Sequence, residues 1–166
     1  MGSNLAMTDK VQGHIDAAEG WLELGDWQSA NRELEKITPQ FRGSPAVLAI
    51  RYDVLFAAKK WDAAIKVTRE YTKVMPECHL GWLHEARVLH LMGRPEEARE
   101  MLLNVVVGFP DISQVHYNLA VACTDLKRWD EARACLKRAI KLEPGIRKVA
   151  LKDECLEKFW EQIGEI

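Results

Sequence analysis

The clearest alternation of apolar and polar positions lies between Val115 and Pro144. Leu119, Ala120 and Cys123 give its first half an apolar stripe at helical spacing. Ala132, Leu136, Ala139 and Ile140 give its second half another. Two amphipathic helices joined by a short polar turn are predicted. Pro144-Gly145 stops the second, because proline lacks the next donor and glycine accepts a left-handed exit. The same reading predicts helices over 11–24, 27–37, 45–58, 61–74, 79–92, 95–107, 113–126, 129–142 and 146–163. Asp26 is placed to cap the second helix, Ser44 the third, and Asp111 or Ser113 the seventh. Residues up to about Lys10 are expected to be poorly ordered, and MGSNLAM reads as an expression leader with native translation beginning at Met7.

The pattern repeats. Ala30, Ala64, Ala98 and Ala132 stand 34 residues apart, as do Pro76, Pro110 and Pro144. Trp27, Trp61 and Trp129 fall on the same period, with Pro95 in the remaining slot. Small residues on one period mark close helix crossings. The tryptophans open each second helix and are expected to pack back on the first. A helix-turn-helix unit of this length resembles the tetratricopeptide repeat, TPR. The third unit supplies Trp82, Ala86, Leu89, Ala98, Leu102 and Pro110. The fourth supplies Leu119, Ala120, Cys123, Ala132, Leu136, Ala139 and Pro144. The second is looser, with Leu48, Leu55, Ala64 and Pro76 in place but Tyr52 in a slot that is normally small. The first has Ala18, Trp21, Gly25, Ala30 and Leu34, with its proline early at Pro39. The resemblance covers Val11 to Gly145. It implies an all-α fold, a right-handed TPR superhelix of about nine antiparallel helices. The units are 11–44, 45–78, 79–112 and 113–146, followed by a capping helix over 147–166.

Composition adds mainly exclusions. With 25 acidic and 23 basic residues the net charge is −2, so the basic excess that nucleic-acid binding needs is missing. No apolar run approaches the ~20 residues of a membrane span. Cys78, Cys123, Cys135 and Cys155 include no C-x-x-C pair and read as free thiols of a reducing, cytoplasmic compartment. A bridge between Cys123 and Cys135 is the alternative. His84-Glu85 followed by His90 has the wrong spacing for a zinc helix, since residues six apart diverge by about 240°. His14 and His116 occupy equivalent slots and read as packing residues. No nucleotide loop or nucleophile elbow is present, and the carboxylates lie at solvated i, i+4 spacings. The chain reads as a non-enzyme, with no metal and no cofactor.

The resemblance implies a concave groove lined by the first helix of each unit. Carried over by position, its candidate contacts are Ile15, Glu19, Leu22, Glu23, Asp53, Phe56, Leu83, Arg87, His90, Leu91, Tyr117, Val121 and Asp125. One TPR subclass grips chaperone C-termini with lysine, asparagine and arginine. Here those slots hold Ile15, Glu19, Ala49, Asp53 and Leu83, with Arg87 alone compatible, so such acidic tails are excluded. The expected function is protein–protein interaction, with a peptide or helix of a partner in the groove. Structural self-assembly is the alternative class, and a small TPR-type secretion chaperone is a special case of the first. Glu19, Glu23 and Asp53 favour basic residues at one end of the ligand. In the last helix Val149, Leu156, Trp160 and Ile163 form one apolar stripe, and Leu151, Cys155 and Phe159 a second. Phe159 or Trp160 is therefore a candidate contact for a partner or for a homo-oligomer, unless both stripes pack inward.

Overall fold

The computed structural model describes residues 2–160, with side chains from Asp9 onward except that of Lys158. Among the described residues the chain has nine α-helices and no strand. It divides into two compact units, residues 1–81 and 82–166.

The first unit contains α1 (Gly2–Glu23), α2 (Trp27–Glu35), α3 (Pro45–Ala57) and α4 (Trp61–Val74). Helix α1 begins at Gly2 rather than at Val11, since no proline separates the two and the helical backbone continues. Asp26 caps α2 by accepting from the Ser29 amide at 2.9 Å. Helix α2 ends at Glu35, short of Ile37, where the Arg42 guanidinium takes over its last carbonyls. It donates to Glu35 O and to Ile37 O, each at 2.8 Å. A 3-10 turn, Pro39–Phe41, follows. Ser44 precedes α3 as expected, but its side chain makes no capping bond, and Pro45 in the first turn sets the helical φ instead. Ala18, Ala30, Leu34, Ile37, Val47 and Val54 form a core that excludes solvent almost completely.

Helix α5 (Leu80–Leu91) crosses the division, and the second unit continues with α6 (Pro95–Gly108), α7 (Ser113–Asp125), α8 (Trp129–Leu142) and α9 (Ile146–Ala150). The cap of α7 is Ile112, with no side-chain bond, so neither Asp111 nor Ser113 does what its chemistry suggested. Ala86, Leu102, Val115, Leu119, Ala132, Leu136 and Leu156 are buried together. The last helix differs most from expectation. A single helix over 146–163 is replaced by the five-residue α9, a turn, and a 3-10 helix, Glu154–Phe159. Asp153 makes the break by accepting from the Cys155 amide at 3.0 Å. Residues 161–166, with Ile163 of the first stripe, lie outside the described residues.

The four periodic alanines Ala30, Ala64, Ala98 and Ala132 are at most 1 % exposed. Trp61 packs back on Phe56, ring centroids 5.4 Å apart. Trp129 instead meets Phe159 at 6.0 Å, and Trp27 carries the Lys60 ammonium over its ring at 5.5 Å.

A fourth periodic position emerges only in three dimensions. Gly25, Lys59, Gly93 and Lys127 all have positive φ, between 54° and 78°. Each ends a first helix in the same way. Its own N–H bonds the carbonyl three residues back, and the next N–H reaches the carbonyl five back, as in Arg128 N to Cys123 O at 2.8 Å. This left-handed exit costs an L-residue about 1–2 kcal/mol. Lys59→Gly and Lys127→Gly are each expected to stabilise the chain by about 1 kcal/mol, less what glycine gains in the unfolded state. Urea titration checks this, and a fall in midpoint for both would contradict it.

Candidate functional site

Two faces carry the sequence-predicted site residues, one in each unit. In the first unit Glu19, Leu22 and Glu23 on α1 meet Ile50, Asp53 and Ala57 on α3 around an open depression of about 460 Å³. These helices run side by side because Ile15 and Ala18 of α1 and Val47, Ile50 and Val54 of α3 share the core beneath. Glu19, Glu23 and Asp53 are exposed, Leu22 is half-buried and Ile50 is 8 % exposed. The result is an apolar floor edged by three carboxylates.

One predicted contact of this unit is corrected. Ile15 is 4 % exposed and belongs to the core, because its position turns toward α2 and α3. Phe56 is half-buried and packs between Tyr52, at 5.6 Å, and Trp61, at 5.4 Å.

In the second unit Arg87 and His90 of α5 face Tyr117, Val121 and Asp125 of α7 across a pocket of about 230 Å³. Leu83 packs half-buried against the core, and Leu91 stands exposed beside the turn. The chain's own C-terminal residues form the remaining wall. Tyr117 donates its hydroxyl to Asp153 Oδ2. His90 Nδ1 is 2.6 Å from Asp125 Oδ2, and its Nε2 is 3.4 Å from Cys155 Sγ. Burial and the Asp153 carboxylate hold the Tyr117 hydroxyl well above the usual tyrosine range, so it remains a donor. Burial first, then the charges of Asp153 and Asp125, push the Cys155 thiol up to about 11. Thiol, imidazole and carboxylate thus stand in the order of a nucleophile relay, but the sulfur keeps its proton at neutral pH. The thiolate that a cysteine nucleophile requires is suppressed, and the three groups fasten the C-terminal residues to α5 and α7.

Phe159, a predicted contact residue, is corrected by the same packing. It is 3 % exposed against Trp129, because the break at 151–153 turns it inward. Trp160 is half-buried and donates its indole N–H to Ala150 O at 3.0 Å. Among the described residues of the two expected stripes, Val149 and Leu151 are the exposed ones, at 52 % and 42 %.

The histidines read as packing groups have polar roles that spacing did not reveal. His14 of α1 is 3.0 Å from Glu33 of α2, and His116 is buried with Nε2 donating to Pro110 O at 2.8 Å. Cys123 and Cys135 face each other from α7 and α8 as free thiols. A hydrogen bond from Cys135 and the Arg99 guanidinium lower Cys123, while the same bond and burial raise Cys135. No group of three or more His, Cys, Asp or Glu side chains among the described residues is arranged to hold a metal ion. No helix among them is long and apolar enough to cross a membrane.

Two stretches of the chain match a family model described as tetratricopeptide repeat, residues 113–145 and residues 80–103. Over these residues the chain carries tetratricopeptide repeats. Solved structures agree in fold. MamA 41-end from Desulfovibrio magneticus RS-1 is 18% identical, with a TM-score of 0.72 over 95% of this chain and 90% of that one. A second MamA crystal structure is 18% identical, with a TM-score of 0.71 over 83% and 81%. A third is 11% identical, with a TM-score of 0.72 over 95% and 88%. At these identities the likeness carries the fold class, an all-α TPR solenoid, and nothing about ligands. No curated protein matches the chain by sequence. As a TPR protein the chain is a protein–protein interaction module.

Proposed function

We propose that this TPR protein binds the amphipathic helix of a partner protein on the first unit's α1–α3 face, with basic residues of that helix against Glu19, Glu23 and Asp53. One observation carries the reading: three exposed carboxylates surround an apolar floor of Leu22, Ile50 and Ala57. A helix laid on such a floor gains affinity by burying its apolar side, as helix-in-groove ligands do. The carboxylates then select sign and direction, and speed encounter more than they deepen affinity. An acidic ligand would meet repulsion on all three sides. The same geometry fits a non-catalytic adaptor, since nothing on this face combines a nucleophile with a base.

The test uses a labelled synthetic helix with leucines on one side and lysines on the other. Glu19→Lys with Asp53→Lys is expected to weaken its binding about tenfold or more at low salt, chiefly through the association rate. The melting temperature is read alongside, so that lost binding is counted only for a variant that remains folded. Equal binding by the double variant and the parent chain would remove this face from consideration.

A further inference from the structure

The second unit presents a different surface, one that the chain itself occupies. Residues 153–160, called the strap below, lie across α5 and α7, and two of their polar ties land on residues far away in sequence. Asp153 takes the Tyr117 hydroxyl, and Cys155 faces His90, which Asp125 orients. Leu156 and Phe159 then enter the core at 0 % and 3 % exposure. Acid and thiol therefore engage residues of α5 and α7 that the TPR pattern assigns to ligand contact, while Leu156 and Phe159 anchor the strap in the second unit's core.

Three features distinguish the strap from an ordinary terminal helix. It is a six-residue 3-10 helix, a form with poorer hydrogen-bond geometry than an α-helix. It follows a turn at 151–152, where Leu151 is exposed rather than packed. It also fills the face incompletely, since a pocket of about 230 Å³ remains between Arg87, His90, Tyr117, Val121 and the strap. A segment that reproduced the strap's anchors and also filled this space would make more contacts than the strap does.

We propose that the strap is an internal ligand of the α5–α7 face. A partner segment with an acidic residue, followed three and six positions later by large apolar residues, binds there in its place. The spacing is the strap's own: Asp153, Leu156 and Phe159. This goes beyond the first unit's basic-helix site, which lies on other residues and has the opposite charge preference. The apparent affinity for a competitor is its intrinsic affinity reduced by the fraction of chains whose strap is open. Loosening the ties must therefore raise binding without adding any contact.

The probe is a fluorescent peptide of residues 151–160, LKDECLEKFW, kept under reductant and titrated into the full chain by anisotropy. Asp153→Ala combined with Cys155→Ala removes two ties from the strap's own side and leaves Tyr117 and His90 in place for the peptide. Each lost hydrogen bond shifts the strap toward its open state, so the double variant is expected to bind about tenfold tighter than the parent chain. A peptide carrying D153N, L156A and F159A should bind neither. Equal binding to parent and variant, or no binding to a variant that melts cooperatively, overturns the proposal. Hydrogen exchange on the parent chain tests the same idea without substitution. The Cys155 and Leu156 amides should exchange through local opening, at least about tenfold faster than the α7 amides. Exchange of both sets only through global unfolding also overturns it.

Discussion

Leu156→Ala is expected to be the most damaging single substitution described for this chain. Leu156 is fully buried, in one cluster with Leu136, Ala139, Ile140 and Phe159. Truncating it removes three carbons and leaves a cavity that α8 and α9 can close only in part. The expected loss is about 2–5 kcal/mol. In a chain of this size each kcal/mol lowers the melting temperature by about 2–4 °C. Helix content followed by circular dichroism, together with tryptophan fluorescence, would register the shift. Val149→Ala on the neighbouring α9 is the control, since Val149 is 52 % exposed. If the two variants melt together, the strap contributes no cover to the second unit.

The second large effect has the opposite sign in volume. Ala132→Leu adds three carbons where α7 and α8 cross, at a position 0 % exposed. The neighbouring core is already filled by Leu119, Cys123 and Leu136, so new atoms must force rotamers or push the helices apart. A loss of about 1–3 kcal/mol is expected. Ala134→Leu, two residues away on the exposed side of α8, should change stability by only a few tenths of that. A calorimetric midpoint that stays put in the Ala132 variant would mean that the repeat register is misplaced.

Much of the fold was legible because the helices obey a simple apolar rhythm. Seven of them, from α2 to α8, start within a residue of where the pattern put them, and Asp26 caps α2 by the chemistry its position suggested. The misses share a cause. Nothing local separates Val149, Leu156 and Trp160 on a straight helix from the same residues on a broken one. Asp153 caps the turn, and the Tyr117 hydroxyl, 36 residues earlier, donates to the same carboxylate, a tie that no local pattern reveals. Lysine likewise gives no hint of a left-handed backbone. Only the spacing of Lys59 and Lys127 from Gly25 and Gly93 could have revealed it. Of the candidate contacts, Ile15 was misassigned because a family position fixes a helix face only approximately. Ile15 and Glu19, four residues apart and about 40° around the helix, fall on either side of the core boundary.

The start of α7 bears on how the second unit comes apart. Ile112 offers no side chain to its first turn. The carboxylate beside that turn belongs to Glu143, which follows α8 and accepts from Ser113 Oγ and Gln114 Nε2. A negative charge there favours the helix's positive end. Helix α7 thus borrows from its partner what most helices carry themselves. When α8 leaves, α7 loses its packing and the charge at its head in one event. The pair therefore has no half-folded form worth populating, and this hairpin should behave as a single switch between native and unfolded.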